Sequence, residues 1–446
     1  MTKNHLRAGA LGVTALTALA LAAPALAHDS DHGSASSISI KTYRQDLKPI
    51  GKIGTTTVTG DGYGSAIAPV PYRPDEFYGL TDRGPNVDGP DGTKIEAYPD
   101  FAPAIGLFKL NAGKARLVKK ITLADKDGKP YNGLVNTLAD TGETITKLDG
   151  SVLPKSPNGY DSEGLVALKD GTFWVSDEYG PFITHFKANG RAIGRLSPYD
   201  STLPAELKLR TPNKGMEGLT ITPDGKTLVG IMQSALTQTD AAKAKNVGVS
   251  RIVTIDIKTG TTHEYAYALD NAKDKGTAVS EIAALSSTQF LVDERDGNLE
   301  PGADKKLWRI DISAATDIGT ATTAGTYDAA RGILIGGKTL EAVAGSSDQA
   351  GTTAALATAG VKVVTKSLYL DIAGLVSAYA PDGSFFGHDK VEGIAILDGG
   401  RKLVISNDSD FGIDASVGDA APFGLHTKAL PDGRQDFGEF LVIDRR

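Results

Sequence analysis

The chain has 446 residues, 40% of them hydrophobic, with 52 Gly and 21 Pro, which is enough apolar material for a sizeable core in a turn-rich body. A formal charge of −7, with basic residues scattered except at Lys119-Lys120 and Arg445-Arg446, argues against a nucleic-acid partner. The absence of Cys excludes disulfides, thiol chemistry and a lipid-bearing cysteine.

At the amino terminus Lys3 and Arg7 precede an Ala/Leu-rich run that reaches about Ala23, followed by the small-x-small site Pro24-Ala25-Leu26-Ala27. Residues 1–27 therefore read as a secretory signal, because the run is short for a membrane span. Its removal takes away two cations and no acid, which brings the charge from −7 to −9. Residues 28–37, with His28, Asp29, Asp31 and His32, read as a disordered lead, and residues 38–446 as one domain. The expected product is secreted, extracellular, without a stable membrane anchor, and monomeric.

From there on a motif recurs. A Glu opens a short apolar strand that turns over and ends in an acidic or amide cluster. The copies run from Glu163-Gly-Leu-Val-Ala-Leu to Asp177-Glu178, from Glu217-Gly-Leu-Thr-Ile to Gln233, from Glu281-Ile-Ala-Ala-Leu to Asp293-Glu294-Arg295, and from Glu392-Gly-Ile-Ala-Ile-Leu to Asn407-Asp408. A degenerate copy runs from Gly64-Ser-Ala-Ile-Ala to Asp82-Arg83-Gly84. Turns such as Lys169-Asp170-Gly171 and Asp398-Gly399-Gly400 mark these as hairpins. Counting back from the turns places Glu163 opposite Asp177, Glu217 opposite Met232, Glu281 opposite Val292, and Glu392 opposite Ser406 or Asn407.

Strand-rich units that repeat with their acids at one end predict an all-β fold, a β-propeller of five or six blades. The Gly after three of the glutamates suits an inner strand where backbones crowd the axis. Four strands are expected in each of 64–125, 163–196 and 217–269, and at least three from residue 281. The last repeat is completed by 438–444, and a first strand near 37–43 closes the ring. Residues 126–160 and about 312–365 read as insertions, the second long enough to hide a blade.

A ring of carboxylates in a narrow channel repels itself and calls for protonation or a cation. Oxygen ligands without Cys suit calcium ahead of magnesium, held by Glu163, Glu217, Glu281, Glu392, Asp177, Asp293 and Asp408. The bland alternative is that these acids cap inner-strand amides or pair with Arg and Lys. Arg83 and Arg295 lie beside the acids, where guanidinium groups could grip a small anionic substrate, with Asp82 and Tyr179 contributing. Glu178 is the candidate general base, in a catalytic set with Asp177, Arg83 and Arg295. His185, on an expected strand, is read as a surface or packing residue. No Gly-x-Ser-x-Gly elbow stands in a strand-turn-helix context, which argues against a serine esterase.

The segments Leu80-Thr-Asp-Arg-Gly84, Asp161-Ser-Glu-Gly-Leu165, Val175-Ser-Asp-Glu-Tyr-Gly-Pro181, Asn213-Lys-Gly-Met-Glu-Gly-Leu219, Val391-Glu-Gly-Ile394 and Ser406-Asn-Asp408 are similar to the phytase-like family described as having esterase-like activity of phytase. That resemblance implies a secreted propeller and hydrolysis of phosphoesters or related esters. The sequence lacks the dense Lys and Arg cleft expected for a hexakisphosphate. Two other functions are compatible with an acid-lined propeller: opening of lactones or aryl esters, and noncatalytic ligand binding around a structural metal.

Overall fold

The computed structural model describes residues 38–139 and 142–445. The expected signal segment 1–27 and the lead 28–37 lie outside the described residues.

Short runs rich in β-branched residues pair into five blades of four antiparallel strands. Blade one holds Ala66–Val70, Arg73–Leu80, Ala104–Asn111 and Lys114–Thr122, and blade two holds Ser162–Ala167, Phe173–Asp177, Ile183–Phe186 and Ala192–Leu196. Blade three holds Met216–Ile221, Thr227–Met232, Val249–Asp256 and Thr262–Ala268. Blade four holds Ala278–Ala284, Gln289–Arg295, Lys305–Asp311 and Thr365–Asp371. Blade five holds Val391–Leu397, Lys402–Asn407 and Glu439–Arg445, and its outer strand, Ile38–Gln45, comes from the other end of the chain.

The first strands of the blades adjoin one another in cyclic order, and the fifth meets the first. The ring therefore has five blades. Closure comes from Ile38–Gln45 lying antiparallel to Glu439–Arg445, with Ile38 opposite Arg445 and Arg44 opposite Glu439. Each wedge between neighbouring blades holds its own apolar cluster. Leu80, Leu165 and Phe182 fill the first, Leu219, Leu228 and Trp174 the second, and Ile231, Ile282 and Phe290 the third. Leu291, Ile394 and Ile405 fill the fourth, and Phe77, Phe108 and Phe440 the fifth. No blade can bury its two faces alone, so the circle is what removes apolar surface from water.

The long interval in blade four is an insertion between its third and fourth strands. It carries a small sheet, Thr326–Asp328, Gly332–Ile335 and Lys338–Thr339, and two helices, Leu340–Ala344 and Gln349–Thr358. Thr339 and Asp348 cap the helix starts, accepting from the amides of Ala342 and Gly351. The insertion packs on blade three through Val249, Ala266, Leu340 and Leu356, and buried Arg251 pairs with Glu341.

The hairpin register differs from a simple count at the position that matters. In four blades the inner ladder shifts beside the Glu: between Ser162 and Leu165, Met216 and Gly218, Val279 and Glu281, and Val391 and Ile394. Asp177 consequently stands opposite Ser162 instead of Glu163, Met232 opposite Met216 instead of Glu217, and Glu281 opposite Asp293 instead of Val292. Asn407 stands opposite Val391. Bulges re-aim side chains, and here one recurs at each ring glutamate. The neighbouring glycines are there for close approach. A Cβ on Gly164 would lie 2.6 Å from Leu219 Cβ, one on Gly218 2.7 Å from Ile282 N, and one on Gly393 2.9 Å from Ile67 N.

Candidate functional site

The glutamate ends of the inner strands open into a cavity of about 440 Å³ at one mouth of the channel. One wall is a five-stranded sheet assembled from Asn86–Asp88, Lys94–Glu96 and Ile145–Lys147 with Ile413–Val417 and Gly424–Thr427. Eleven carboxylates line the cavity against five cationic side chains. Glu163, Glu217, Glu392, Glu178, Asp82, Asp408, Arg83 and Arg295 all reach it, so most of the sequence-derived set converges at one place.

Among the described residues Asp161, Glu163 and Glu178 form a buried group in which one carboxylate oxygen from each lies within 4.8 Å of the others. Asp161 was not among the sequence candidates. Burial pushes the Glu163 carboxyl well above the ordinary carboxylate range, reinforced by Asp161, Glu217 and Glu178, and Glu178 is raised by burial and by Glu217 and Asp161. Burial also brings Glu217 to about 7, and it brings Asp408 to about 7 despite Lys390. Asp82 is raised by burial, Asp408 and Asp161. The buried Oε2 of Glu217 has no hydrogen-bond partner. Self-repelling oxygens with an orphan among them match the donor chemistry of a hard divalent cation.

Two of the residues expected at the site, Asp177 and Tyr179, do not line this cavity. Asp177 is fully buried and accepts from the amides of Asp161 at 2.7 Å, Tyr179 at 3.2 Å and Gly180 at 2.7 Å, which fastens the backbone of the acid cluster. Tyr179 is fully buried against Val135 and Ile145, with its hydroxyl bonded to Arg83.

Glu281 and Asp293 face each other in blade four, away from the mouth. Glu281 Oε1 accepts from the amides of Leu219 and Ile282, while Glu281 Oε2 and both Asp293 oxygens are buried without partners. Burial raises both carboxyls well above their usual range.

The two arginines are engaged within the protein. Arg83 sits 3.7 Å from Asp161 through Nε and donates to Asn86 Oδ1 at 2.9 Å and to Tyr179, while Arg295 pairs with Glu392. Glu178 Oε1 accepts from Gln233 Nε2 at 3.0 Å. His185 lies on the strand Ile183–Phe186, its ring stacked on Trp174 at 4.2 Å, and so is a packing residue.

The fold and site thus define a five-bladed propeller with an acid-rich mouth. The chain belongs to the phytase-like family described as esterase-like activity of phytase, which matches residues 61–411. An uncharacterised secreted protein of Arthroderma benhamiae is 32% identical over 233 residues, a match that covers 41% of this chain and 46% of that protein. The chain thus matches under half the length of that relative. Among solved structures, a Lactobacillus plantarum protein superposes with a TM-score of 0.35 at 10% identity, covering 90% of this chain and 95% of its own. Virginiamycin B lyase of Staphylococcus aureus gives 0.32 at 12% identity, covering 92% and 100%. The propeller assignment rests on the strand pairing and cyclic order described above. No helix among the described residues is long and apolar enough to cross a membrane.

Proposed function

We propose that the protein is an exported, calcium-dependent hydrolase of phosphomonoesters or related esters, working as a monomer at the acidic mouth. The observation that carries this reading is the Asp161, Glu163 and Glu178 cluster, held within 4.8 Å, in which the one ion pair among the described residues is Arg83 with Asp161, and Lys214 reaches Glu178 by charge without pairing with it. Family membership supports ester hydrolysis, and the secreted relative and the signal-like residues 1–27 support export.

Asp161 and Glu163 would hold the ion, with Glu217, Glu392 and Asp408 around it and Glu178 beside it, and when bound it would supply Lewis-acid polarisation of the ester oxygen. Asp177 accepts from the amides of Asp161, Tyr179 and Gly180, which ties the Asp161 backbone to the turn that follows Glu178. Gln233 fixes the Glu178 carboxylate from one side, and Glu178 then takes a proton from the attacking water. Arg83 and Arg295 act by orienting Asp161 and Glu392. Because both arginines are already engaged, neutral lactones and aryl esters remain a second substrate class.

Metal analysis of the purified protein, followed by turnover of an aryl phosphate, a lactone and an aryl acetate with and without chelator, tests the proposal. The expected result is bound calcium and chelator-sensitive turnover of the aryl phosphate. Phosphatase activity that persists after thorough calcium removal rejects the metal-dependent reading, and no turnover of any ester leaves only ligand binding.

A further inference from the structure

Four of the five cations around the mouth are matched to carboxylates: Arg83 to Asp161, Lys94 to Asp88, Arg295 to Glu392, and Lys390 to Asp408 and Asp410. Lys214 is different. Its hydrogen-bond partner among the described residues is neutral, the Gln233 carboxamide oxygen at 2.5 Å, with Glu178 close enough to feel its charge.

The backbone beneath Lys214 is fixed. Its amide donates to the Thr211 carbonyl at 3.1 Å, closing a turn with Pro212 and Asn213 at the corners. Asn213 has a φ of +55°, the left-handed setting that a type II turn requires after Pro and that Asn tolerates. Gly215 lets this turn press against blade two, since a Cβ there would lie 2.7 Å from the Glu178 carbonyl carbon. The Gln233 amide donates to the Gly215 carbonyl at 3.0 Å, tying the turn to blade three. On the same wall the Asn213 side-chain oxygen is buried without a partner.

We propose that Lys214, with Asn213 beside it, is the anion-binding subsite of the mouth, taking a phosphate or carboxylate oxygen of the ligand. This rests on the reading of the site as one that accepts an anionic ester. Each of the other four cations would have to leave an ion pair to meet an incoming anion, whereas Lys214 exchanges a neutral amide for a charge-assisted bond. Its ammonium is a point charge that accepts either oxyanion geometry. The orphan acceptor on Asn213 suits a ligand hydroxyl next to the anionic group.

The test uses the full chain in calcium-containing buffer, titrated calorimetrically with inorganic phosphate and separately with acetate. The expected result is saturable binding of at least one anion, weakened about tenfold or more by Lys214→Met and held within about threefold by Lys214→Arg, a tenfold loss being about 1.4 kcal/mol. Melting curves establish that the variants fold, and Lys214→Gln replaces Lys214→Met if the latter does not. Binding that the neutral variant leaves unchanged overturns the subsite, as does failure of both anions to bind the wild-type chain. The two readings separate cleanly. Aryl phosphate turnover with a KM indifferent to Lys214→Met removes the subsite and leaves the hydrolase, while Lys214-dependent phosphate binding without turnover removes the hydrolase and leaves the subsite.

Discussion

At the scale of single residues, Glu163 carries opposing costs. Its ionised form is disfavoured by burial and by Asp161, Glu217 and Glu178, yet that form is what a cation requires. Glu163→Gln removes the repulsion and the ligand together. The expected outcome is a higher melting temperature than wild type in chelator and loss of calcium stabilisation, which for wild type at a hundredfold excess over Kd is about 2.7 kcal/mol. Equal calcium-induced shifts in the two proteins would remove Glu163 from the ion site. Gly218 tests crowding instead of charge. Gly218→Val drives a side chain into the Ile282 amide of the next blade, and such overpacking costs about 1–3 kcal/mol or more, read as a lower denaturant midpoint. The recurring Glu-Gly pair made both residues legible in the sequence. Asp161 was missed because it precedes the repeated motif, although Asp161-Ser162-Glu163 spaces its acids two apart, the spacing that shares one side of an extended chain. That Arg295 pairs with an acid was one of the alternatives open in the sequence, but which acid was not legible, because its partner Glu392 belongs to the next blade.

At the scale of elements, the sequence located every blade because turn chemistry and apolar alternation are local, and local signals survive without knowledge of the fold. All four strands of blade one fall within the expected interval, and those of blades two and three do so apart from first strands that begin one residue earlier, at Ser162 and Met216. Register at the acid end was not local. A count from the turn assumes an unbroken ladder, and the bulges at the ring glutamates break it where the inner strands meet at the axis. Ring closure was legible from the leftover strands at the two chain ends, and it can be tested. A chain beginning at Asp46 lacks Ile38–Gln45, so Glu439–Arg445 becomes an open edge and Phe440 and Leu441 lose cover from that side. An exposed edge of that length is a template for pairing with another chain. The truncated protein should melt lower and associate, shown by light scattering after chromatography. A monomer of unchanged stability would mean that the terminal strand contributes little to closure.

At the scale of the whole molecule, the buried acids make stability depend on pH in a direction opposite to that of a surface-charged protein. Glu217 and Asp408 titrate at about 7 in the fold, and Asp177 and Glu96 at about 8, in each case chiefly because burial disfavours the charge. Their ordinary values are 4.5 for Glu and 3.8 for Asp, so the folded state binds these protons more tightly than the unfolded one. The stability they contribute is complete below about pH 4 and is lost as pH rises through 7 and 8. His388 continues the decline. Burial lowers its affinity for a proton, but Asp436 at 2.8 Å and Glu439 at 3.2 Å more than offset that and raise it to about 9, so its contribution disappears as pH passes 9. Asp410 runs the other way: Lys390 and Lys428 outweigh burial and depress it, so its contribution is lost only as pH falls below the usual Asp range. In chelator the melting temperature should therefore fall steadily from pH 5 to pH 9. A cation bound at the mouth reverses the sign for the acids around it, because their ionised forms become the favoured ones. With calcium in excess the same curve should flatten or rise between pH 6 and pH 8, and the gap between the two curves should widen with pH. A chelator curve that is flat or climbs over this range would show that the carboxylates are already neutralised by the protein's own cations, and the case for an ion at the channel mouth would fall with it.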